Sequence, residues 1–381
     1  MLETPEHEAF RAMVRSYVDS EINPRIPEWE EAGIMPLHEL FADMARLGLL
    51  GLEYDPADGG QGADHLFTVI LAEEFGRCDH GSLPMALGVQ VDMATPSLAR
   101  YGTREQKERF LRPALEGKMV AAIAVTEPDA GSDVAAIRTR AVRDGDEWVI
   151  NGSKLYITNG TQADWLCLLA RTGDEGGYRG MSQIIVPTDS PGFTVVDKLD
   201  KLGMRASDTA LLSLDDCRVP VANTIGEIGR GFQQQMAQFV VERMWAAYTT
   251  VGACDRALER TAEYLRQRRT FGEPLLAKQY IQFSLAELAA EIDLLRHYNR
   301  AIAERHDAGH DTTREATIAK LTAGRLSRRV ADVCLQFHGG VGYMEETWTA
   351  RFLRDNRLTS IGGGADEVML QVLARLDGLT A

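Results

Sequence analysis

An uninterrupted helical pattern between Phe232 and Thr270 constrains the fold more than any other feature of this chain. The segment contains no proline, and its apolar residues recur at the spacing of one helical face. These residues are Met236, Phe239, Val240, Met244, Ala247 and Val251. One continuous helix of this length spans about 58 Å at 1.5 Å per residue, far more than the average helix of a globular protein. We therefore expect it to cross a whole domain and to contact several other elements.

Glu242 lies on this helix among mainly apolar neighbours. One turn before it are Gln238 and Phe239, and one turn after it are Trp245 and Ala246. A carboxylate on such a face loses hydration, which raises its pKa toward the range of a general base. The alternative is an ion pair with an arginine of a neighbouring helix. The helix taken alone favours that alternative.

The composition is typical of a soluble enzyme and argues against several other classes. At 381 residues, 45% hydrophobic and 25% charged, the chain should form two or three domains. Its formal net charge of −15 argues against broad binding to nucleic acid or to an anionic membrane. No signal peptide is indicated, and no apolar run reaches membrane-spanning length. The five cysteines stand singly, without zinc spacing or a disulfide framework, so we expect reduced thiols, no metal site and a cytoplasmic protein.

Three consecutive regions with different sequence patterns predict an α+β fold. Residues 1–118 are expected to form a helical domain, which opens with the helix start Thr4-Pro5-Glu6. From Met119 onward, short β-branched runs separated by turns predict a β domain, a barrel or sandwich, over residues 119–225. Residues 226–381 are expected to be helical again. After the long helix, the predicted helices cover approximately residues 277–306, 313–337 and 366–376.

Three short segments carry most of the chemical information. The first, VTEPDAGSD over residues 125–133, combines hydroxyls and a glycine on a turn. In the second, LYITNG over residues 155–160, strand alternation places Tyr156 and Thr158 on one face. The third, RRTFG over residues 268–272 with Gln279, offers positive charge for a pyrophosphate. Each segment alone also fits a structural turn, ordinary sheet packing or a solvated helix end.

Taken together with QFHGGVGYMEE, which begins at Gln336, these motifs resemble the acyl-CoA dehydrogenases in order and spacing. The resemblance covers almost the whole chain. It implies an N-terminal helical domain, a middle β domain and a C-terminal four-helix bundle, with FAD bound between the β domain and the C-terminal helices. It also implies a homotetramer built as a dimer of dimers.

The resemblance also implies a set of cofactor-binding residues. Those on the flavin side are Val125, Thr126, Gly131, Ser132, which also lies near the acyl-CoA, Tyr156, stacked against the isoalloxazine, and Thr158, near N5. Those on the dinucleotide side are Arg268, Thr270, Phe271 and Gln279, joined by Gln336 and Gly340 of a neighbouring subunit.

The resemblance departs from the commoner pattern at the catalytic base. Many members of the family place a glutamate near the C-terminus, where this chain has Gly363. The isovaleryl-CoA and long-chain branches carry the base on the long helix, in a Glu-Arg pair that Glu242-Arg243 matches. The resemblance therefore implies that Glu242 is the base and that Gly363, with Arg243 and Ser132, lies on the substrate side. Asp366 and Glu367 are weaker alternatives for the base.

The expected function is FAD-dependent α,β-dehydrogenation of an acyl-CoA to the trans-2-enoyl-CoA. The resemblance implies that a ribityl hydroxyl of the flavin and the backbone N–H of Gly363 hold the thioester oxygen. It also implies that an electron-transfer flavoprotein or similar acceptor reoxidises the flavin. Two alternatives remain open. One is a flavin oxidase or a dehydrogenase of carrier-protein-bound acyl groups, and the other is a non-catalytic subunit of a hetero-oligomer.

Overall fold

A group of helices opens the chain in the computed structural model, which describes residues 3–380. The Thr4 hydroxyl accepts a hydrogen bond from the backbone N–H of His7 and caps the first helix, as predicted. The α-helices are α1 (Pro5–Tyr17), α2 (Ile26–Ala32), α3 (Leu37–Arg46), α4 (His65–Gly76), α5 (Ser82–Gly88), α6 (Pro96–Tyr101), α7 (Arg104–Gln106) and α8 (Arg112–Leu115). Short π-helical segments at Val18–Ile22, Val89–Ala94 and Lys107–Leu111 extend several of them.

The middle of the chain forms one eight-stranded sheet. Its strands are β1 (Ala121–Ala124), β2 (Arg140–Asp144), β3 (Glu147–Thr158), β4 (Trp165–Arg171), β5 (Met181–Pro187), β6 (Phe193–Lys198), β7 (Thr209–Pro220) and β8 (Thr224–Ile225). They are ordered β6-β7-β3-β2-β4-β5-β8, with β1 parallel to β4. The β2–β3 hairpin turns at Gly145, which has a φ of +63°. The sequence pattern did not predict β2, because three of its five residues are charged.

The predicted long helix is α9 (Gly231–Gln267), and the prediction is wrong at its last three residues. Arg268 has an extended backbone, and β9 (Arg269–Thr270) pairs with β10 (Glu273–Pro274) in a small hairpin. Phe271 and Gly272 form its tip with φ angles of +52° and +84°. The apolar periodicity of α9 did not reveal this end, because the pairing of β9 with β10 decides it and leaves no mark on the helical spacing.

The remaining helices complete the C-terminal part. They are α10 (Gln279–Asp307), α11 (Thr313–His338), α12 (Trp348–Asn356), which was not predicted, and α13 (Asp366–Leu376). The helix α11 lies against α9, α10, α12 and α13. No helix within residues 3–380 is long and apolar enough to cross a membrane.

The helix α9 is the centre of the main hydrophobic core. Its buried residues Met244 and Val251 join one cluster with Phe75 of α4, Ile292 of α10 and Ala323 of α11. The helices α4 and α9 approach so closely that a Cβ atom on Gly252 would lie 1.7 Å from the carbonyl oxygen of Glu73. Helices of the N-terminal and C-terminal parts therefore pack around α9, which fixes the position and orientation of Glu242.

Candidate active site

Glu242 of α9, Lys320 of α11 and the loop 361–365 before α13 converge on one point. Gly363 has a φ of +63°, a conformation that favours glycine. A Cβ atom built on Gly363 would lie 3.3 Å from Oε1 of Glu242 and 3.9 Å from Cε of Lys320. The structure therefore brings together Glu242 and Gly363, which are far apart in the sequence and were predicted to share one site.

The carboxylate of Glu242 is half-buried and unpaired. Within residues 3–380 it makes no hydrogen bond and no ion pair, so the alternative of an ion pair with a neighbouring helix is not found. Burial raises the pKa of Glu242 to about 7, against the opposing charges of Arg243 and Lys320. An unpaired carboxylate with this pKa is suited to accept a proton near neutral pH.

Arg243 points toward α11. Its Nη1 donates a hydrogen bond of 3.4 Å to the Thr317 hydroxyl, and its buried Nε has no partner in the described part of the chain. Burial lowers the pKa of Arg243, and Glu242 partly offsets the effect. Its place on the substrate side stays a prediction.

The turn after β1 is held by a buried lysine that the sequence pattern did not reveal. Nζ of Lys154, on β3, donates to the Val125 carbonyl at 2.8 Å and pairs with Oε1 of Glu127 at 2.9 Å. Glu127 also accepts from the backbone N–H groups of Arg138 and Thr139. Burial lowers the pKa of Lys154 to about 8, and Glu127 partly offsets this effect. The available signal was a lysine that continues the every-second-residue pattern of Trp148 and Ile150, which are buried earlier on the same strand.

The turn leaves its hydroxyls free. Thr126 is half-buried and Ser132 is exposed, and neither hydroxyl has a hydrogen-bond partner among residues 3–380. A Cβ atom on Gly131 would have Thr126 Cγ2 as its nearest neighbour, at 3.9 Å, so space remains above the turn. The Val125 side chain is 7% exposed and packs in the interior, which leaves only its backbone for contact with a ligand.

The second predicted segment lies beside this turn, since the Leu155 N–H donates to the Thr126 carbonyl at 2.9 Å. Tyr156 has a φ of +62° at an irregularity in the β3–β7 pairing, and its side chain is 66% exposed. Ile157 is buried and Thr158 is half-buried, in agreement with the alternation that places Tyr156 and Thr158 on one face. The Thr158 hydroxyl has no partner within the described residues.

The dinucleotide-side residues form a separate group around the β9–β10 hairpin. Arg268 is exposed and its guanidinium is unpaired within residues 3–380, while Phe271 at the hairpin tip is 98% exposed. Thr270 pairs with Glu273 in the hairpin, and Gln279 is the exposed first residue of α10. In the described part of the chain, no hydrogen bond or ion pair joins this group to the turn at 125–133.

The last two predicted cofactor residues lie at the end of α11 and just beyond it. Gln336 and Gly340 are both exposed. A Cβ atom on Gly340 would meet nothing within 4 Å. This surface is therefore open in the single chain.

A cluster of Glu53, His65 and His306 has ligand atoms within 4.8 Å of one another, the spacing of a possible metal site. Both ring nitrogens of His65 are already hydrogen-bonded, Nδ1 to Glu53 at 2.7 Å and Nε2 to the Tyr248 hydroxyl at 3.1 Å. A buried hydrogen-bond network accounts for the cluster without an ion.

The matches of this chain to known proteins place it in the class of flavin-dependent oxidoreductases. The family models for the N-terminal, middle and C-terminal domains of acyl-CoA dehydrogenases match residues 4–118, 122–217 and 229–376. The chain belongs to the acyl-CoA dehydrogenase family, whose members are FAD-dependent enzymes.

Several known proteins are similar over most of their length. A probable acyl-CoA dehydrogenase of Bacillus subtilis is 38% identical and covers 98% of both chains. The mitochondrial long-chain specific enzyme of Rattus norvegicus is 37% identical over 97% of this chain and 86% of its own. The crystal structure of an acyl-CoA dehydrogenase from Geobacillus kaustophilus is 39% identical, with a TM-score of 0.94 and 98% coverage of both chains.

Two less similar structures bear on cofactor and reaction. A glutaryl-CoA dehydrogenase from Mycobacterium smegmatis in complex with FADH2 is 29% identical, with a TM-score of 0.93, and the match covers all of this chain and 96% of that one. The prolyl acyl carrier protein oxidase AnaB is 27% identical, with a TM-score of 0.95, and the match covers 99% of this chain and all of that one.

The free groups of this chain fit FAD. The hydroxyls of Thr126 and Thr158 and the guanidinium of Arg268 are donors without partners in the described residues, and Tyr156 and Phe271 present exposed aromatic rings. Hydroxyl donors and aromatic planes suit an isoalloxazine, and a guanidinium suits a pyrophosphate.

Proposed function

We propose that this chain binds FAD and oxidises the Cα–Cβ bond of an acyl-CoA thioester to the trans-2-enoyl-CoA, with Glu242 as the base. The observation that carries the proposal is the unpaired, half-buried carboxylate of Glu242 against Gly363. Bound FAD supplies the acceptor for the β-hydrogen, which leaves as hydride. Glu242 takes the pro-R α-proton on a carboxylate oxygen and becomes neutral.

Gly363 would stabilise the charge that develops on the thioester oxygen. The α-proton of a thioester is weakly acidic, so its removal requires a donor aimed at that oxygen. Within residues 3–380 the backbone N–H of Gly363 has no hydrogen-bond partner. This free donor lies beside the carboxylate of Glu242. It supports a mechanism in which the backbone N–H of Gly363 binds the thioester oxygen and the side chain of Glu242 accepts the proton.

The cofactor-binding roles follow the two groups of residues. The turn residues Val125, Thr126, Gly131 and Ser132, with Tyr156 and Thr158, would hold the flavin, and Ser132 would also contact the acyl-CoA. Arg268, Thr270, Phe271 and Gln279 would hold the adenine dinucleotide, together with Gln336 and Gly340 of a neighbouring subunit. Arg243 would act on the substrate side through its charge.

A homotetramer would account for the exposed apolar surface around the residues proposed to hold the adenine dinucleotide. Phe271, Tyr280 and Phe283 are 98%, 75% and 63% exposed in the single chain. Exposed aromatic patches of this kind mark contact surfaces. An electron-transfer flavoprotein or similar acceptor would then reoxidise the flavin. The five buried free cysteines favour a cytoplasmic location.

A flavin oxidase or a carrier-protein-dependent dehydrogenase is the second candidate. It is favoured by the similarity of the whole chain to a prolyl acyl carrier protein oxidase. Turnover with a dye acceptor, with and without oxygen, separates the two. A dehydrogenase reduces the dye and reacts slowly with oxygen, whereas an oxidase turns over with oxygen alone.

Anaerobic mixing with a panel of acyl-CoAs of different length and branching tests the main proposal. We expect the yellow flavin absorbance to bleach without added acceptor, fastest with one class of acyl chain. The contradicting result is a protein that takes up FAD and whose flavin is bleached by an acyl-carrier-protein thioester but by none of the acyl-CoAs. That result would favour the second candidate.

A further inference from the structure

Lys320 is a buried cation at the point where Glu242 meets the loop 361–365. Its side chain has no exposed surface. A buried ammonium group is unfavourable unless hydrogen bonds and opposite charges compensate for its lost hydration. Its Nζ donates a hydrogen bond to the carbonyl of Gly364. Its Cε lies 3.9 Å from the Cβ position of Gly363, whose other close neighbour is the carboxylate of Glu242.

Four charged groups act on Lys320 through their electrostatic field, and they are Glu242 and Arg243 of α9 and Asp366 and Glu367 of α13. Asp366 also pairs with Arg328 of α11 at 3.2 Å. Burial lowers the pKa of Lys320 to about 8, while Asp366 and Glu242 act in the opposite direction. The opposite charges of Lys320 and Glu242 stabilise each other's ionised forms.

The loop that Lys320 contacts is unusually free in its backbone. Positions 362–364 are all glycine, and Gly363 and Gly364 have φ angles of +63° and +102°. Glycine loses more conformational freedom on ordering than any other residue. A side-chain hydrogen bond to the Gly364 carbonyl restrains the residue that follows the free N–H of Gly363.

We propose that Lys320 is a positioning residue for the reaction. Its charge favours the ionised form of Glu242, and its hydrogen bond to Gly364 holds the loop that presents the N–H of Gly363. This inference rests on the proposed function, in which Glu242 is the base. It assigns to α11 the positioning of Glu242 and Gly363, which neither of these two residues supplies itself.

The substitution Lys320→Met tests the charge in the FAD-loaded protein. The rate of anaerobic flavin reduction by the best acyl-CoA is measured from pH 5.5 to 9.5. Removal of a nearby positive charge disfavours the carboxylate, so the acid limb of the profile should move up by about one pH unit. The variant should therefore be about tenfold slower than the parent near pH 6, with a smaller difference near pH 9.

A second neutral variant separates charge from hydrogen bonding. Lys320→Gln keeps a donor for the Gly364 carbonyl in the buried site, so it should show the same shift of the acid limb with less loss at high pH. It also decides the question if the methionine variant does not take up FAD. Ser327→Ala is the matched control, because Ser327 is also buried on α11 but donates to Gly324 at 3.2 Å. Its profile should match that of the parent.

Coincident acid limbs of the parent and of the FAD-loaded neutral variants would overturn the role of Lys320. Failure of the proposed function would be seen differently, in proteins that retain Lys320. A parent that reduces no flavin with acyl-CoAs, or an unchanged rate in Glu242→Gln, would refute the function itself.

Discussion

The carboxylate of Glu242 occupies the space that a side chain at Gly363 would enter. Oε1 of Glu242 lies 3.3 Å from the Cβ position of residue 363, closer than most carbon contacts in proteins. A carboxylate could therefore reach this point either from α9 or from the loop 361–365. Because α9 already supplies one, glycine at 363 leaves the space open and keeps a free backbone N–H beside it.

Glu242→Gln keeps the size of the side chain and removes the proton acceptor. A positioned general base contributes roughly a hundred- to ten-thousand-fold, so anaerobic flavin reduction by acyl-CoA should slow by that order. FAD content should be unchanged, because no predicted cofactor-binding residue contacts the carboxylate. Rapid-mixing absorbance measures the rate.

Glu263→Gln is the matched control, since Glu263 is exposed on the same helix. The control should reduce flavin at the parental rate. If Glu242→Gln also does so, the base lies elsewhere, and Asp366 and Glu367 become the candidates.

Glu242→Gln should be more stable than the parent protein above neutral pH. The pKa of Glu242 is raised from 4.5 to about 7 by burial, so the folded state retains a proton that the unfolded chain has lost. Ionisation of Glu242 therefore destabilises the folded state progressively between pH 4.5 and 7, and the destabilisation is complete above this window. Glutamine does not ionise, so the Tm difference should favour the variant at pH 8 and vanish near pH 4. A parent and variant with equal Tm at both pH values would contradict the raised pKa.

Arg268→Ala should weaken FAD retention. The guanidinium of Arg268 is exposed and unpaired in the described residues, so it is available for the pyrophosphate as a charge-assisted donor. Arg266→Ala, in the last turn of α9, changes charge equally and should retain FAD like the parent. Flavin absorbance after extended dialysis measures the effect. Equal retention in both variants would make Arg268 a surface charge at the helix end.

Lys154→Met should destabilise the turn at 125–133. The substitution leaves Glu127, which is 7% exposed, as a buried carboxylate without its cation. Removing one partner of a buried ion pair lowers the free energy of unfolding by roughly 3–5 kcal/mol. The midpoint of urea unfolding should fall, and FAD should dissociate faster because Thr126 lies on the same turn.

The double variant Lys154→Met with Glu127→Gln should lose less stability than the two single variants together, since the pair is removed whole. Arg104→Met breaks the exposed pair with Glu108 and should leave the midpoint unchanged. Additive effects of Lys154 and Glu127 would show that their contact contributes nothing.

Local sequence signals predicted the long C-terminal helices and the extent of the β region, because caps and hydrophobic periodicity act within a few residues. The Thr4 cap is confirmed in this way. The short strand β2 and the end of α9 at Gln267 were missed, because tertiary pairing decides them. The π-helical segments left no signal in the sequence.

The chemistry of the site was predictable by residue type, but its assembly was not. The apolar neighbours of Glu242 indicated a raised pKa, and burial of its carboxylate in the structure acts in the same direction. The sequence could not show that Lys320, 78 positions later, would end beside it, nor that Lys154 would be buried against Glu127. The meeting of distant side chains depends on how α9 and α11 pack, and no local pattern encodes that.

The double variant Glu242→Gln with Gly363→Glu tests whether both positions serve one α-carbon. A carboxylate from position 363 should recover part of the flavin reduction lost in Glu242→Gln, because its Cβ starts 3.3 Å from the original carboxylate. Recovery should be incomplete, since a side chain at a φ of +63° costs about 1–2 kcal/mol. Acyl-chain preference should also change, because the new side chain occupies space near the substrate. Gly362→Glu in the same background is the control, since a Cβ at 362 meets Leu358 rather than position 242. If the two glutamates restore activity equally or not at all, positions 242 and 363 do not share a catalytic point.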